Sequence, residues 1–429
     1  MALTGRSALV AALGAAVVWV VGSGAAVLGV EALLVCGVLL DLLGAARPRD
    51  LRLERDGPTA VRLGESAALT LRVTNTGSRR LRGRLRDAWV PSAGADLTRH
   101  QLDVPPGEGR LLTTTLRPTR RGDRHPDRVT VRAVGPLGLA ARQRAHRVPW
   151  TVRVLPEFGS RRHLPARLDR LRVLDGRNAA RVRGAGTEFD SLRSWVDGDD
   201  VRSIDWRATA RRTEVAVRTW RPERDRRVLV VLDSGRTAAG RVGDAPRLDA
   251  AMDAALLLAA LASAAGDRVD LLVYDRRVRA AVIGARPGRL LPDLVSALAG
   301  VEADLVETDM RGLAAEVLRR AGRDALVVLI STLDAAPVTD GLLPVLPLLL
   351  ARHRLVLAAV EDTRVTELAA GRGDAEAVYA AAAAERTRSE RAATGALLTR
   401  RGVRVVAAGP DELPPALADT YLALKASGR

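Results

Sequence analysis

The stretch that decides the fold is residues 227–233, Arg-Val-Leu-Val-Val-Leu-Asp, in which an unbroken apolar run ends in a carboxylate. An apolar run of this length is typical of a strand that is buried on both faces of a parallel sheet. Residues 325–331, Ala-Leu-Val-Val-Leu-Ile-Ser, repeat the pattern. Ligands of open α/β sheets bind beyond the carboxyl ends of the strands. Asp233 and Ser331 therefore mark a candidate binding edge.

The sequence around these two runs alternates between strands and helices. Further strands are predicted at 269–274, 278–283, 355–360 and 403–407, and helices at 247–265, 290–298, 310–321, 374–401 and 411–426. This alternation predicts a doubly wound α/β domain over residues 226–429.

The amino-terminal residues 1–46 predict a transmembrane helical hairpin. Residues 7–30 carry no charged side chain, and the apolar region is longer than the core of a cleaved signal peptide. Gly22-Ser23-Gly24 indicates a turn between helices at 5–22 and 25–44, with one longer span as the alternative. Arginines flank both ends of the region. The positive-inside rule therefore predicts a protein of the inner (plasma) membrane whose soluble domains are cytoplasmic.

The middle of the chain predicts an all-β immunoglobulin-like sandwich over residues 47–155. Apolar and polar residues alternate at 69–74 and at 129–134, and glycine-containing turns separate the strand candidates. Residues 156–225 are interpreted as a linker segment that carries a sequence signature. The fold class is thus multidomain, with a membrane hairpin, a β-sandwich and an α/β domain.

Composition excludes several classes of protein. The single cysteine, Cys36, excludes an intrachain disulfide and a thiolate zinc site. The net charge is +17, and residues 47–150 carry +12 of it. This basic segment either faces anionic lipid head groups or is simply solvated. It lacks aromatic residues interleaved with the basic ones, so no nucleic-acid partner is predicted.

The densest polar sequence lies at residues 184–211. Its carboxylates stand at positions 188, 190, 197, 199, 200 and 205, and they interleave with Arg193, Arg202, Arg207 and Arg211. Three interpretations are open. The segment is a structural network of arginine–carboxylate pairs, a docking surface rich in Arg and Trp, or a site for a hard cation or acid–base chemistry.

This stretch resembles the signature of the DUF58 family (domain of unknown function 58), which is close to G-x-G-x-E-F-D-x-L-R-x-Y followed by G-D-D-x-R-x-I-D-W-x-x-x-A-R. The matching residues are Gly184, Gly186, Glu188, Phe189, Asp190, Arg193, Gly198, Asp199, Asp200, Arg202, Ile204, Asp205, Trp206 and Arg211, with Trp195 in place of the usual tyrosine. Residues 135–139, Gly-Pro-Leu-Gly-Leu, are similar to the family's D-P-F-G-L element, with Gly135 replacing Asp. The resemblance implies a membrane-anchored protein with a von Willebrand factor A-like domain, commonly encoded beside a MoxR-type AAA+ ATPase.

A von Willebrand factor A-like domain often carries a metal-ion-dependent adhesion site with the pattern D-x-S-x-S, a distant Thr and a distant Asp. The resemblance assigns these positions to Asp233, Thr237 and Thr308. Gly235 lacks the expected hydroxyl, and Thr332 stands where the distant Asp is expected. Because Mg²⁺ needs about six oxygen ligands, this degenerate set predicts weak Mg²⁺ binding at most, and no other cofactor.

The leading hypothesis is therefore a non-enzymatic, membrane-anchored adaptor whose partner is a MoxR-type ATPase. The sequence contains no phosphate-binding loop, dinucleotide fingerprint or nucleophile elbow. The alternative is a metal-dependent hydrolase that uses the carboxylate cluster at 188–205.

Overall fold

The computed structural model describes residues 2–181, 188–197, 199–211, 214–221 and 227–427. The chain forms two compact units, Met1–Leu155 and Pro156–Arg429. The prediction of a multidomain protein is thus confirmed.

The first unit begins with two apolar helices, α1 (Gly5–Val21) and α2 (Gly24–Gly44). Gly22 turns the chain between them with a φ of 65°, and the Ser23 hydroxyl caps α2 by accepting the N–H of Ala26. A Cβ on Gly14 would lie 2.4 Å from Val30 Cγ1, so glycine permits the close approach of the two helices. The apolar stretch Gly24–Asp50 is long enough to cross a membrane, whereas Gly5–Val21 is shorter. The two helices and the turn lie where the sequence predicts them.

Eleven strands complete the first unit. They are β1 (Ala2–Leu3), β2 (Leu51–Asp56), β3 (Ala60–Arg62), β4 (Ala67–Asn75), β5 (Leu81–Trp89), β6 (Arg99–Val104), β7 (Gly109–Leu116), β8 (Gly122–Arg124), β9 (Pro126–Val134), β10 (Ala140–His146) and β11 (Val152–Leu155). They form three sheets with the orders β1-β10-β9-β5-β6, β2-β4-β7 and β3-β11-β8. Leu71 and Val73 of β4 share one core with Leu85 of β5 and Val131 of β9. Two sheets therefore pack face to face, which confirms the predicted β-sandwich.

A buried ion pair links the two facing sheets. Arg55 of β2 donates two hydrogen bonds of 2.8 and 2.7 Å to the carboxylate of Asp87 on β5. Both side chains are 1% exposed. Trp89 completes the group, because its Nε1 donates to Asp87 at 3.1 Å and its ring lies 4.9 Å from Arg55 Cζ. Arg55 Nε is buried without a hydrogen-bond partner, while the other polar atoms of the group are paired. The paired contacts fix the register of one sheet against the other.

A buried carboxylate joins the helical hairpin to the sandwich. Asp41, near the end of α2, is 0% exposed. It accepts the backbone N–H groups of Leu137, Gly138, Leu139 and Ala140 at 2.7, 3.2, 2.6 and 2.6 Å. A Cβ on Gly135 would lie 2.3 Å from Asp41 Oδ1, so glycine is required there. The loop that contains the Gly-Pro-Leu-Gly-Leu element therefore supplies the backbone N–H groups that bind this carboxylate.

The amino-terminal end of the hairpin is attached to the same loop. The Thr4 backbone N–H donates to Leu139 O at 3.0 Å, and its hydroxyl donates to Gly138 O. The short strand β1 extends the five-stranded sheet by pairing with β10. Both ends of the hairpin are therefore fixed to the sandwich.

Asp41→Asn is expected to open this attachment. The amide NH₂ group replaces an acceptor with a donor that faces backbone N–H groups, which costs about 2 kcal/mol. Hydrogen exchange of the amides at 137–140 in the detergent-solubilised chain should become roughly thirtyfold faster. Glu31→Gln makes the same chemical change at an exposed position of α2 and should leave the exchange unchanged. Equal exchange rates in the two variants would contradict the role of Asp41.

The second unit contains the remaining elements. They are α3 (Leu164–Arg181), β12 (Glu188–Ser194), α4 (Trp206–Thr209), β13 (Ala216–Arg221), β14 (Arg227–Asp233), α5 (Arg236–Ala239), β15 (Arg241–Val242), β16 (Ala245–Pro246), α6 (Arg247–Ala264), β17 (Arg268–Tyr274), β18 (Val278–Val282), α7 (Pro287–Ala299), α8 (Met310–Arg320), β19 (Leu326–Ser331), α9 (Leu343–Leu350), β20 (Arg354–Val360), α10 (Thr363–Ala369), α11 (Ala375–Arg400), β21 (Arg404–Ala408) and α12 (Leu413–Ala426). A π-helical turn, Pro337–Leu342, precedes α9.

A six-stranded sheet with the order β18-β17-β14-β19-β20-β21 forms the centre of this unit. Its pairings are parallel except for the antiparallel edge strand β18. The two deciding apolar runs lie side by side, with Val228 opposite Leu326. Helices α6 and α12 pack against each other, while α8, α9 and α11 contribute to the core that contains Leu229 and Val231. The strands and helices predicted in this region are present, with bounds that differ by a few residues.

Helix α3 was not predicted, although Leu164, Leu168 and Leu171 recur at helical spacing and Leu171 is buried. Polar contacts hold it and the turn before it. The Ser160 hydroxyl donates to Asp253 of α6 at 2.8 Å, and Arg167 pairs with Asp419 of α12 at 2.8 Å. The segment interpreted as a linker therefore contributes a helix that packs against the α/β sheet's own helices.

Candidate functional site

A cleft of about 270 Å³ lies beyond the carboxyl ends of β14 and β19. It is lined by Asp233, Arg236, Thr237, Glu307, Thr308, Met310, Ala336, Pro337, Asp340 and Gly341. The strand order reverses between β14 and β19, since one half of the sheet runs β14-β17-β18 and the other runs β19-β20-β21. Open α/β sheets bind ligands in the crevice at such a reversal.

Asp233 organises the base of the cleft. It is 3% exposed. Its Oδ1 accepts the Gly235 N–H at 2.9 Å and the Thr308 hydroxyl at 2.5 Å, and its Oδ2 accepts the Ser331 hydroxyl at 2.6 Å. The carboxylate thus joins the end of β14, the loop before α8 and the end of β19. Two of these contacts cross long stretches of sequence, so only the folded sheet brings the groups together.

Gly235 makes the approach of Thr308 possible. A Cβ at this position would lie 2.2 Å from Thr308 Oγ1 and 2.9 Å from Val306 O. The backbone also closes here, because the Arg236 N–H donates to Val306 O at 2.8 Å. The hydroxyl that the D-x-S-x-S pattern expects at position 235 therefore has no space. Thr308 takes its place beside the carboxylate.

The structure brings together the residues predicted as metal ligands. Asp233 and Thr308 are in hydrogen-bonding contact, and Thr237 lines the same cleft. Sequence reasoning placed Ser331 at the binding edge, and its hydroxyl also reaches Asp233. Asp340 was missed, because it lies in the π-helical turn, whose sequence Pro-Val-Thr-Asp-Gly-Leu gave no helical signal.

Ser234 stands one position before the expected hydroxyl, and Asp334 stands two positions after the expected distant Asp, but both side chains bind elsewhere. The Ser234 hydroxyl is buried and donates to Asp275 at 3.4 Å. Asp334 is paired with Arg391 of α11 at 2.9 Å. Neither side chain can supply the missing oxygen ligand to the cleft in this arrangement.

The donor set does not fit a tightly bound divalent cation. Mg²⁺ requires a nearly complete shell of oxygen ligands, but Asp233 spends its oxygens on three hydrogen-bond donors. Within the described ranges of the chain, no three His, Cys, Asp or Glu residues cluster as ligands. Arg236 adds a cation at the rim, where it pairs with Glu307 at 2.6 Å. The oxygen atoms of the cleft are therefore bound to hydrogen-bond donors and a guanidinium group and do not form a ligand shell.

The signature residues form an antiparallel hairpin of β12 and β13, in which Phe189 lies opposite Trp220. The backbone of Glu188, Phe189 and Asp190 belongs to β12. Gly184, Gly186 and Gly198 lie outside the described residues. After β12, two short turns, Val201–Ser203 and Trp206–Thr209, lead toward β13.

Arg193 and Asp199 form the first fixed pair of the signature. The guanidinium donates two hydrogen bonds of 2.7 and 2.5 Å to the carboxylate, which also accepts the Val196 N–H at 3.0 Å. The guanidinium, and after it the amide, hold the pKa of Asp199 below its ordinary value. Asp199 therefore stays ionised at neutral pH and serves to close the turn after β12.

Asp205 and Asp200 serve as helix caps. Asp205 accepts the N–H groups of Arg207 and Ala208, both at 3.0 Å, and pairs with Arg218 of β13 at 2.8 Å. Asp200 accepts the Arg202 N–H at 3.0 Å. These carboxylates are bound to backbone amides and arginines. The geometry favours the interpretation as a structural network and gives the hydrolase alternative no converging acid–base pair among the side chains that the structure describes.

The same segment presents apolar side chains to solvent. Trp206 is 67% exposed, Val196 is 61% exposed and Val201 is 62% exposed. Arg202, Arg207 and Arg211 are exposed beside them. Trp and Arg are the residue types that dominate binding hot spots. We call Val196, Val201, Arg202, Trp206 and Arg207 the signature patch.

Gly235→Ser is expected to destabilise the second unit, although it restores the residue of the metal pattern. The added atoms collide with Thr308 and Val306 O, which should lower the free energy of unfolding by about 1–3 kcal/mol. Thermal unfolding of the full chain measures this loss of stability. Gly300→Ser is the control, since a Cβ on Gly300 meets nothing within 4 Å. The double variant Gly235→Ser/Thr308→Ala should lose less stability than the two single variants lose together. Wild-type stability of Gly235→Ser would refute the crowding described here.

Acid is expected to loosen the turn that Asp205 caps. The Ala208 amide and then Arg218 hold the pKa of Asp205 below its ordinary value of 3.8. The carboxylate therefore stabilises the fold above that ordinary value, and this stabilisation is lost as the pH falls through the lowered pKa. Hydrogen exchange of the amides at 207 and 208, corrected for its intrinsic pH dependence, should show lost protection in acid.

Asp205→Ala should reproduce this loss at neutral pH, because it removes the oxygen that accepts both amides. Asp197→Ala changes an exposed carboxylate of the same segment and should leave the protection intact. Unchanged protection in Asp205→Ala would show that the cap does not hold the turn.

Comparisons with known proteins agree with the signature. Residues 191–397 match the family described as "Protein of unknown function DUF58". The uncharacterized proteins Rv1480 of Mycobacterium tuberculosis (strain ATCC 25618 / H37Rv) and Mb1516 of Mycobacterium bovis are each 29% identical over 204 residues. Each match covers 46% of this chain and 62% of the relative.

Solved structures resemble a smaller part of the chain. The CARDB domain of the PF1109 protein from Pyrococcus furiosus is 21% identical, with 24% of this chain and 87% of that chain covered and a TM-score of 0.19. Alpha-2-macroglobulin from Escherichia coli is 18% identical, with 26% and 17% covered and a TM-score of 0.20. The signature residues, the matched region and the mycobacterial relatives together show that this chain is similar to the DUF58 family of proteins of unknown function.

Proposed function

We propose that this chain is a non-enzymatic, membrane-anchored adaptor that binds a partner protein at the carboxyl edge of its six-stranded sheet. The observation that carries the proposal is the cleft over Asp233. It lies at the point where the strand order reverses, and hydroxyl groups hold its buried carboxylate in place. A preformed polar cleft at this edge supports binding, while no general acid, base or nucleophile is assigned to it.

The α/β unit is proposed to be a von Willebrand factor A-like domain. The parallel sheet with one antiparallel edge strand and the acidic end of its central strand support this assignment. The adhesion site of such domains is reduced here, because Gly235 and Thr332 replace two ligand positions. We propose that recognition at the cleft needs no metal ion, or at most a weakly bound Mg²⁺.

The hairpin α1–α2 is proposed to anchor the chain in the plasma membrane. Arg6 precedes the hairpin, and Arg47 and Arg49 follow it. Cationic residues near membrane helices stay on the cytoplasmic side, which supports a cytoplasmic location for both units. The attachment of both hairpin ends to one loop of the sandwich is consistent with a hairpin and not with a single span.

The partner is proposed to be a MoxR-type AAA+ ATPase. The family resemblance supports this choice, since such an ATPase is commonly encoded beside family members. The signature patch offers a second contact surface, because an exposed tryptophan among exposed arginines resembles the centre of a protein interface. Nucleic acid is not proposed as a partner.

Capture of the ATPase by the solubilised full chain tests the proposal. The MoxR-type ATPase encoded nearest to this protein's gene should be recovered, and Trp206→Ala should weaken its binding about tenfold or more. Tyr379→Ala is the matched control, because Tyr379 is an exposed aromatic residue of α11, 78% exposed. It should bind like the wild type.

Two results would refute the proposal. One is failure to capture this ATPase both with and without nucleotide. The other is a carboxyl-terminal unit that proteases reach from outside intact cells.

A further inference from the structure

The first unit contains a wide basic groove beside the ends of the helical hairpin. Its open volume is about 1300 Å³. Seven arginines and one aspartate are its charged lining residues: Arg6, Arg79, Arg80, Arg82, Arg84, Arg110, Arg132 and Asp103. We call this the arginine groove. An imbalance of this size creates a strong attraction for anions.

The one carboxylate that lines the arginine groove is already paired with an arginine. Asp103 accepts hydrogen bonds from Arg80 at 2.5 and 2.8 Å. The Arg80 guanidinium, together with Arg82 and Arg110, lowers the pKa of Asp103, so the carboxylate is ionised at neutral pH. Its charge is shared among the surrounding guanidinium groups and offsets only one of them.

Two of the arginines oppose each other directly. Arg84 of β5 lies opposite Arg132 of β9 in the antiparallel register, with Gln101 of β6 on its other side. Like charges at such positions destabilise a sheet. Among the described residues, no carboxylate pairs with Arg84 or Arg132; Arg132 instead donates to Leu3 O. The sheet thus keeps an unfavourable pair whose charge an external anion would neutralise.

The groove opens where the hairpin ends. Leu3, Thr4, Gly5 and Gly44 line it together with the arginines, and these residues stand at the outer ends of α1 and α2. In a hairpin that spans the bilayer, residues at the helix ends lie at the level of the lipid phosphates. The contacts of Asp41 and Thr4 with residues 137–140 hold the groove at this level.

We propose that the arginine groove binds the phosphate of an anionic phospholipid head group in the leaflet next to the soluble units. Guanidinium groups bind phosphate oxygens through paired hydrogen bonds, and each basic residue near an anionic leaflet adds to the attraction. The bound phosphate neutralises the Arg84–Arg132 pair. This inference rests on the proposed membrane anchoring of the hairpin.

Thermal unfolding of the full chain in neutral detergent micelles tests the proposal. Added POPG should raise the unfolding midpoint, because a ligand stabilises the state that binds it. POPC and inorganic phosphate should not. The variant Arg82→Gln/Arg84→Gln/Arg110→Gln should need about tenfold more POPG or lose the shift. The variant Arg72→Gln/Arg117→Gln/Arg120→Gln removes the same charge from exposed positions outside the groove and should keep it.

Arg84→Gln alone separates binding from a structural role. Because it removes a like-charge pair, it should raise the midpoint of the lipid-free protein and reduce the POPG shift. A structural arginine would lower the lipid-free midpoint instead, and that result would overturn the proposal. Equal POPG shifts in the two triple variants would also overturn it. So would an equal shift with POPC, or a full shift with millimolar inorganic phosphate, which would indicate a soluble anion.

Flotation with vesicles distinguishes this proposal from the anchoring on which it rests. The chain reconstituted into pure POPC vesicles should float with them if the hairpin anchors it. A chain that floats with POPC but shows no POPG shift retains its anchor and lacks the lipid site. A chain that fails to float contradicts the anchoring itself.

Discussion

The carboxylate of Asp41 is the constraint on which the architecture of the first unit depends. An apolar helix can turn freely against a soluble domain unless polar bonds fix it. Here one buried side chain accepts four backbone amides of a single loop. Charged hydrogen bonds of this kind are stronger than neutral ones, and their burial makes each lost partner costly. The hairpin and the sandwich therefore form one unit, and the arginine groove keeps a fixed position relative to the helix ends.

The same device recurs at the other organised sites. Asp233 collects an amide and two hydroxyls at the edge of the six-stranded sheet, and Asp205 collects two amides and an arginine in the signature. In each case a carboxylate joins segments that no continuous secondary structure connects. The acidic residues of the signature that the structure describes therefore bind backbone amides and arginines, and in this way they fix its turns and cap its short helices. The carboxylate contacts do not explain why Trp206 and its neighbours in the signature patch are exposed.

The elements that depend on local pattern were predictable from the sequence. The unbroken run at 227–233 gave the central strand, and the uncharged stretch with its Gly-Ser-Gly turn gave the hairpin. Contacts across long sequence separations were not predictable. Asp41 looked like an interruption of an apolar run, and nothing local indicates that Thr308 donates to Asp233 or that Gly235 leaves room for it. Helix α3 was missed although Leu164, Leu168 and Leu171 recur at helical spacing. The burial of Leu171 and polar contacts with α6 and α12 hold the helix and the turn before it. Asp340 was missed because the π-helical turn that carries it contains Pro337 and Gly341, which are poor helix formers.

The choice of arginine over lysine has a consequence for the basic groove. A guanidinium remains protonated at every pH that a folded protein tolerates, so the seven side chains that line the groove form a permanent charge. Protons cannot switch such a surface off. Dissolved ions can weaken it, since electrostatic attraction between exposed charges decays over about 8 Å at physiological ionic strength. Attraction of anions to the groove should therefore weaken as the ionic strength rises and change little with pH.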